Sequence, residues 1–111
     1  MLDPLRALAA LLVETAQEWV KVLAHAAHVP DPGSAEAIDD LLTALDRVMA
    51  LEHEVDDAER LLAAAALRHA ADFRDLHIYT ALGDKLEAAA DALTRSSLLL
   101  REEVLGDVLG A

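Results

Sequence analysis

No glycine or proline occurs between Gly33 and Gly83 of this 111-residue chain. Those two residues are the cheap helix breakers, so a stretch this long without either constrains the fold more than any other feature. Read as a single helix, the segment from Ser34 to Leu109 would span roughly 110 Å at 1.5 Å per residue, too long for a small globular domain. A turn is therefore expected around His69–Asp75, with Asp72 or Asp75 as the N-cap of the following helix. The one unambiguous break is Pro30-Asp31-Pro32-Gly33-Ser34. It ends a first helix near Val29 and leaves Ser34 to cap the second, helped by Glu36 in its first turn. Asp3-Pro4 reads as the start of the first helix, with Asp3 as N-cap, and Gly106 or Gly110 ends the third. The expected fold class is all-α: an antiparallel three-helix bundle forming one domain over residues 1–111, with helices at about 4–29, 34–70 and 73–109.

The apolar spacing agrees with helix throughout. The first helix carries Leu5, Leu8, Leu12, Trp19, Val22 and Ala26 on one stripe. The second carries the heptad-like series Ile38, Leu41, Leu45, Val48, Glu52, Val55, Glu59, Leu62 and Ala66. The third shows Leu76, Tyr79, Leu86, Ala90, Leu93, Leu100 and Val104. Hydrophobic residues make up 55% of the chain but aromatic ones only 3%, so Leu, Val and Ala must build the core. Trp19 and Tyr79 are expected to anchor it, and Phe73 to pack at the turn. Leu98, Leu99, Leu100, Val104, Leu105, Val108 and Leu109 exceed what one stripe needs, and a first helix shorter than the hairpin leaves part of it uncovered. Surplus apolar surface of this kind marks a partner surface, so a homodimer or higher oligomer is expected.

The formal net charge is −12, and the nine Lys and Arg are scattered singly. That balance disfavours nucleic acid and anionic membranes as partners. The longest apolar runs, such as Ala7–Val13, fall far short of the roughly 20 residues that cross a bilayer, so membrane insertion is not expected. Asp3 and Glu14 stand where a signal peptide would carry a basic start, which points to a cytoplasmic protein. With no cysteine there is neither a disulfide framework nor a thiolate metal site.

Chemistry concentrates in two matched motifs, Glu52-x-x-x-Asp56 and Glu87-x-x-x-Asp91. Spacing of four puts both carboxylates of a motif on one helix face. Folding the chain back near Ala71 sets Glu52 level with Asp91, Asp56 with Glu87 and, one turn on, Glu59 with Asp84. Like charges facing each other where water is partly excluded are costly, and a cation or shared protons would relieve them. Glu52 and Glu59 also interrupt the apolar stripe of the second helix, where polar residues are out of place unless functional. The candidate metal ligands are thus Glu52, Asp56, Glu59, Asp84, Glu87 and Asp91, and the bland alternative is a partly solvated acidic seam. Carboxylate-only ligation suits Mg²⁺, Mn²⁺ or Ca²⁺ and can hold iron. His53 is rotated about 100° from Glu52, and His25-x-x-His28 complements a helix C-terminus at least as readily as it chelates. No histidine lies three residues after a glutamate, so the Glu-x-x-His signature of di-iron bundles is absent. Neither a phosphate-binding glycine loop nor a serine–histidine constellation is present, and no catalysis is expected.

The segments Leu51-Glu-His-Glu-Val-Asp-Asp-Ala-Glu-Arg60 and Ala81-Leu-Gly-Asp-Lys-Leu-Glu-Ala-Ala-Ala-Asp91 resemble the PhoU-like superfamily, in particular its phosphate transport regulators that accompany Pit-type transporters. The resemblance is specific over about 40 residues. It implies a PhoU-like bundle in which Glu52/Asp56 and Glu87/Asp91 hold metal, identity open among Fe, Zn, Mn and Mg. It further implies a regulatory or adaptor role in phosphate transport or signalling, with a phosphate transporter or its regulator as partner. Members usually carry two three-helix repeats, and a homodimer of this chain would rebuild that arrangement. Two other readings stand beside it. MazG-type all-α nucleoside triphosphate pyrophosphatases hold Mg²⁺ with motifs that Glu36-x-x-Asp39 and Glu54-x-x-Asp57 loosely match, with Arg47 and Arg60 as the nearest cations. The third is a metal-free helical module whose acidic seam contacts a basic partner.

Overall fold

The computed structural model describes residues 2–27 and 35–108. They form three helices, α1 (Leu2–Ala26), α2 (Ala35–His69) and α3 (Phe73–Val108), and each packs against the other two. No strand occurs among the described residues. The protein is an all-α three-helix bundle. It is a rod of 59 × 21 × 16 Å, its length close to the roughly 52 Å that the 35 residues of α2 span at 1.5 Å each.

The connection between α2 and α3 is made by Ala70, Ala71 and Asp72. Asp72 caps α3: its carboxylate accepts the backbone N–H of Asp75 at 2.9 Å, and its carbonyl accepts the first helical bond, from Leu76, at 3.1 Å. Asp75 reciprocates by accepting the N–H of Ala71 at 3.3 Å. This exchange works as a capping box does, satisfying donors that a helix start leaves free. Both aspartates considered for the cap therefore take part, and Asp72 is the N-cap. At the other end Asp3 is not a cap. It lies inside the first turn of α1 with Pro4, where the missing proline N–H would have had no helical partner anyway. The Pro30–Ser34 break, the Ser34 cap, His28 and Gly110 lie outside the described residues.

Two apolar clusters fill the bundle. In one, Val22, Leu41, Ala44, Leu45, Val48 and Val104 pack with Trp19 and Leu100; in the other, Leu8, Val55, Ala58, Leu62 and Ala90 pack with Leu5, Leu12 and Leu86. Between the two clusters in sequence lie Thr15 on α1, Leu51 on α2 and Thr94 and Ser97 on α3, all buried. Thr15 and Ser97 donate back to the carbonyls of Leu11 and Leu93, at 2.7 and 2.9 Å. The Thr94 hydroxyl is buried without a partner.

Three expectations about packing need correction. The core line of α2 runs through Val48, Leu51, Val55, Ala58, Leu62 and Ala65, so Leu51 and Ala58 occupy the central positions. Glu52 and Glu59 sit on its half-exposed shoulder, not at core positions. Both series keep a three-four spacing through Val48, Val55 and Leu62 and differ only in the side on which the positions between them fall; burial takes the side of Leu51 and Ala58. Phe73 does not pack at the turn. It is 89% exposed, because it opens α3 at the hairpin tip. On α3, Val104 is buried inside the bundle and Leu100 and Leu105 are half-buried, while Leu98 and Leu99 of the apolar surplus stand exposed.

Gly83 marks the close approach of α2 and α3. It is buried, and a Cβ there would meet Leu62 Cδ2 at 2.9 Å.

The orphaned Thr94 hydroxyl yields a direct test. An unpaired buried donor costs about 1–3 kcal/mol, so Thr94→Val is expected to raise the unfolding free energy by about 1 kcal/mol. Urea denaturation measures it, and a loss of stability would place a hydrogen bond on that hydroxyl.

Candidate metal centre

Antiparallel packing across the Asp72 turn brings the acidic row of α2 alongside that of α3. Behind the rows, Val55, Ala58 and Leu62 of α2 pack with Leu86 and Ala90 of α3. Glu59 and Glu87 each stand one residue from a member of that cluster, which holds them on the edge of an apolar surface.

Three carboxylates converge. Asp56, Glu59 and Glu87, all half-buried, each offer one oxygen within 4.8 Å of the other two. The remaining three candidates are placed differently. Glu52 is half-buried one turn along α2. Asp91 is met by Arg95, whose Nε approaches Oδ2 at 3.5 Å. Asp84 is exposed and shares with Glu59 the wall of a cavity of about 40 Å³ closed by Leu62, Ala63, Ala66, Tyr79, Thr80 and Gly83. Tyr79, expected as a core anchor, is half-buried at this cavity.

The charges of the seam act on two of these carboxyls, Glu87 and Glu59. Partial burial pushes the Glu87 carboxyl above its ordinary value, and Asp91, Asp56, Asp84 and Glu52 push it further. Glu59 is raised first by burial, then by Glu87, Asp84 and Asp56, with Arg60 opposing. Arg60 itself pairs with Asp57 at 2.9 Å. The largest charge acting on Glu59 is thus Glu87 across the seam, and the largest on Glu87 is Asp91 of its own helix.

Oxygen ligands on a shared cation 2.0–2.6 Å away can lie at most about 4.0–5.2 Å apart. Three oxygens spread evenly around such an ion lie at most about 3.5–4.5 Å apart, so a triad within 4.8 Å is near the span of the larger ions and must draw in around the smaller ones. Among the described residues no histidine joins it: His53, His69 and His77 are exposed, and His25 lines a shallow hollow with Glu18, Lys21, Asp40 and Arg47. An all-oxygen set favours hard cations over Zn²⁺.

The second acidic constellation does not converge. Glu36 and Glu54 are 18 residues apart on α2, about 27 Å, so these two motifs of one chain cannot close on one ion. Glu54 is approached by Arg47 at 3.8 Å, and Asp57 by Arg60. Arg47 also bonds Glu14 at 2.6 Å and so ties α2 to α1. Sequence spacing did not reveal that bridge, because its partners lie on different helices. Comparison with protein-family models, with curated proteins and with solved structures gave no match.

The raised carboxyls give stability a definite pH dependence. Glu59 and Glu87 hold protons to higher pH in the folded chain than in the unfolded one. Folded stability is therefore greatest with both protonated and falls as pH rises from the ordinary glutamate value of 4.5 through their raised range. In metal-free buffer, Glu59→Gln is expected to raise the melting temperature at pH 7 and flatten its dependence just above pH 4.5. A lower melting temperature at pH 7 would show the Glu59 charge to be stabilising.

Proposed function

We propose that this protein is a non-catalytic regulatory or adaptor bundle whose α2–α3 seam takes up a hard cation. The observation that carries this reading is the convergence of Asp56, Glu59 and Glu87 to within 4.8 Å, on a seam whose own charges push two of its carboxyls toward protonation. A divalent or ferric ion would replace that repulsion with attraction. Mn²⁺, Mg²⁺, Ca²⁺ and Fe³⁺ suit the oxygen donors, with Glu52, Asp84 and Asp91 as outer carboxylates. The PhoU-like resemblance of Leu51–Arg60 and Ala81–Asp91 supports placing such a bundle in phosphate transport regulation, with a transporter or its regulator as partner. No helix of the described residues is long and apolar enough to cross a membrane. The separation of the Glu36 and Glu54 motifs weighs against a pyrophosphatase.

One observation favours a second reading, a metal-free interaction module. The small cavity at Glu59 and Asp84 shares Ala66 with a hollow at the hairpin tip lined by Leu67, Phe73 and Leu76. An acidic seam running into an apolar tip also suits a basic amphipathic helix.

Calorimetric titration of chelator-treated protein separates the two. Cation at 100 times its Kd is expected to stabilise the fold by about 2.7 kcal/mol. Asp56→Asn combined with Glu87→Gln should abolish uptake and leave the helical circular dichroism unchanged. Wild-type protein that takes up none of Mn²⁺, Mg²⁺, Ca²⁺ or Fe³⁺ would overturn the metal reading.

A further inference from the structure

The three long grooves of the bundle differ in charge. The α2–α3 groove is acidic. The α1–α2 groove is lined with charged groups of both signs, where Arg47 bonds Glu14, Lys21 bonds Glu18 at 3.0 Å, and His25 and Asp40 stand beside them. On the third side, the outward face of α1 is free of charge between Ala9 and Ala24. On α3 the row Leu82, Leu86, Ala89, Leu93, Ser96 and Leu100 follows helical spacing on the edge toward α1, and Leu86 and Leu100 pack into the clusters that α1 joins. On α1 the outward face runs through Ala9, Ala10, Val13, Ala16, Gln17, Val20, Leu23 and Ala24. Val13, Val20 and Leu23 are 57, 63 and 49% exposed. An outward helix face is ordinarily where a bundle places its charges, and a helix apolar on nearly every side is one that gets buried. Leaving such a face bare costs solvation free energy in proportion to its area.

We propose that this face of α1 packs antiparallel on α1 of a second copy of the chain, about a two-fold axis passing midway between Ala16 and Gln17. Charge fixes the side: two chains of net charge −12 repel, and the outward face of α1 between Ala9 and Ala24 is where they meet without opposing carboxylates. Self-complementarity, which a two-fold interface demands, selects a second copy as the occupant. About that axis Val13 meets the partner's Val20 at the centre. At one edge Ala16 meets its own copy and Ala9 meets the partner's Leu23; at the other Gln17 meets its own copy and Ala10 meets the partner's Ala24. Large residues oppose small ones at the edge, and the alanines allow the helices to approach closely. The acidic seams of both copies stay on the outside, open to a cation or partner. The proposal is independent of whether that seam binds metal.

The experiment is solution mass by light scattering on the full-length protein across 5–100 μM at about 0.15 M salt, with thiol cross-linking of single-cysteine variants. The wild type is expected at twice its 11.9 kDa. Val20→Glu, at an exposed site of the folded chain, should weaken association by more than about a hundredfold, because it buries an unpaired charge at the centre. Its helical circular dichroism should not change. Leu99→Glu, on an exposed part of α3 away from this side, should leave the dimer intact. The chain has no cysteine of its own, so Gln17→Cys should oxidise to a cross-linked dimer while Ala24→Cys, about 22 Å from its copy, should not. A wild-type monomer at 100 μM would overturn the proposal. So would a dimer that survives Val20→Glu, or cross-linking at residue 24 in preference to 17.

Discussion

The apolar contact behind the acidic seam is what the bundle depends on. Val55, Ala58 and Leu62 on α2 and Leu86 and Ala90 on α3 bury together, and in doing so they force carboxylates on the two helices into each other's field. At roughly 25 cal/mol for each Å² of apolar surface removed from water, a handful of such side chains outweighs the repulsion of charges that remain partly hydrated. The raised carboxyls of Glu59 and Glu87 record what that compromise costs. Gly83 sharpens it by letting α3 approach Leu62, so the shoulders of the two helices, where the acids sit, are drawn together as well.

Much of the fold was legible in the chain. The lack of glycine and proline between Gly33 and Gly83 required a turn made by other means, and paired aspartates at 72 and 75 are what a helix start needs. What could not be read was the exact line of the core. A heptad reading of α2 put Glu52 and Glu59 at central positions, whereas the same repeat carries the core through Leu51 and Ala58, on the other side of Val48, Val55 and Leu62. Phe73 misled for a related reason: aromatic character says a residue gains from burial, not whether any neighbour reaches the hairpin tip to bury it. The same limit hid the Arg47–Glu14 bridge, which depends on how α1 is placed against α2.

Of the candidate site, the two acidic rows were legible and the atoms that converge were not. Counting back from the turn paired Glu52 with Asp91, Asp56 with Glu87 and Glu59 with Asp84, whereas the structure gathers Asp56, Glu59 and Glu87 and leaves the other three outside. Spacing alone could not tell that Asp91 leans toward Arg95 or that Asp84 stays exposed, since both follow from side-chain direction. The division of labour among the grooves emerges only in three dimensions. One side gathers negative charge, one holds the ion pairs that join α1 to α2, and one keeps charge off the outward face of α1 between Ala9 and Ala24. A molecule so divided can expose an anionic seam and still associate with its own kind.

The most direct test of the account is a carbon-13 NMR titration of the side-chain carboxyls in metal-free protein. The account predicts that Glu59 and Glu87 titrate above the ordinary glutamate value of 4.5 and that Asp56→Asn lowers both midpoints. Ordinary midpoints for both residues, unmoved by that substitution, would mean that the seam is a solvated surface whose charges do not interact, and the account would fall.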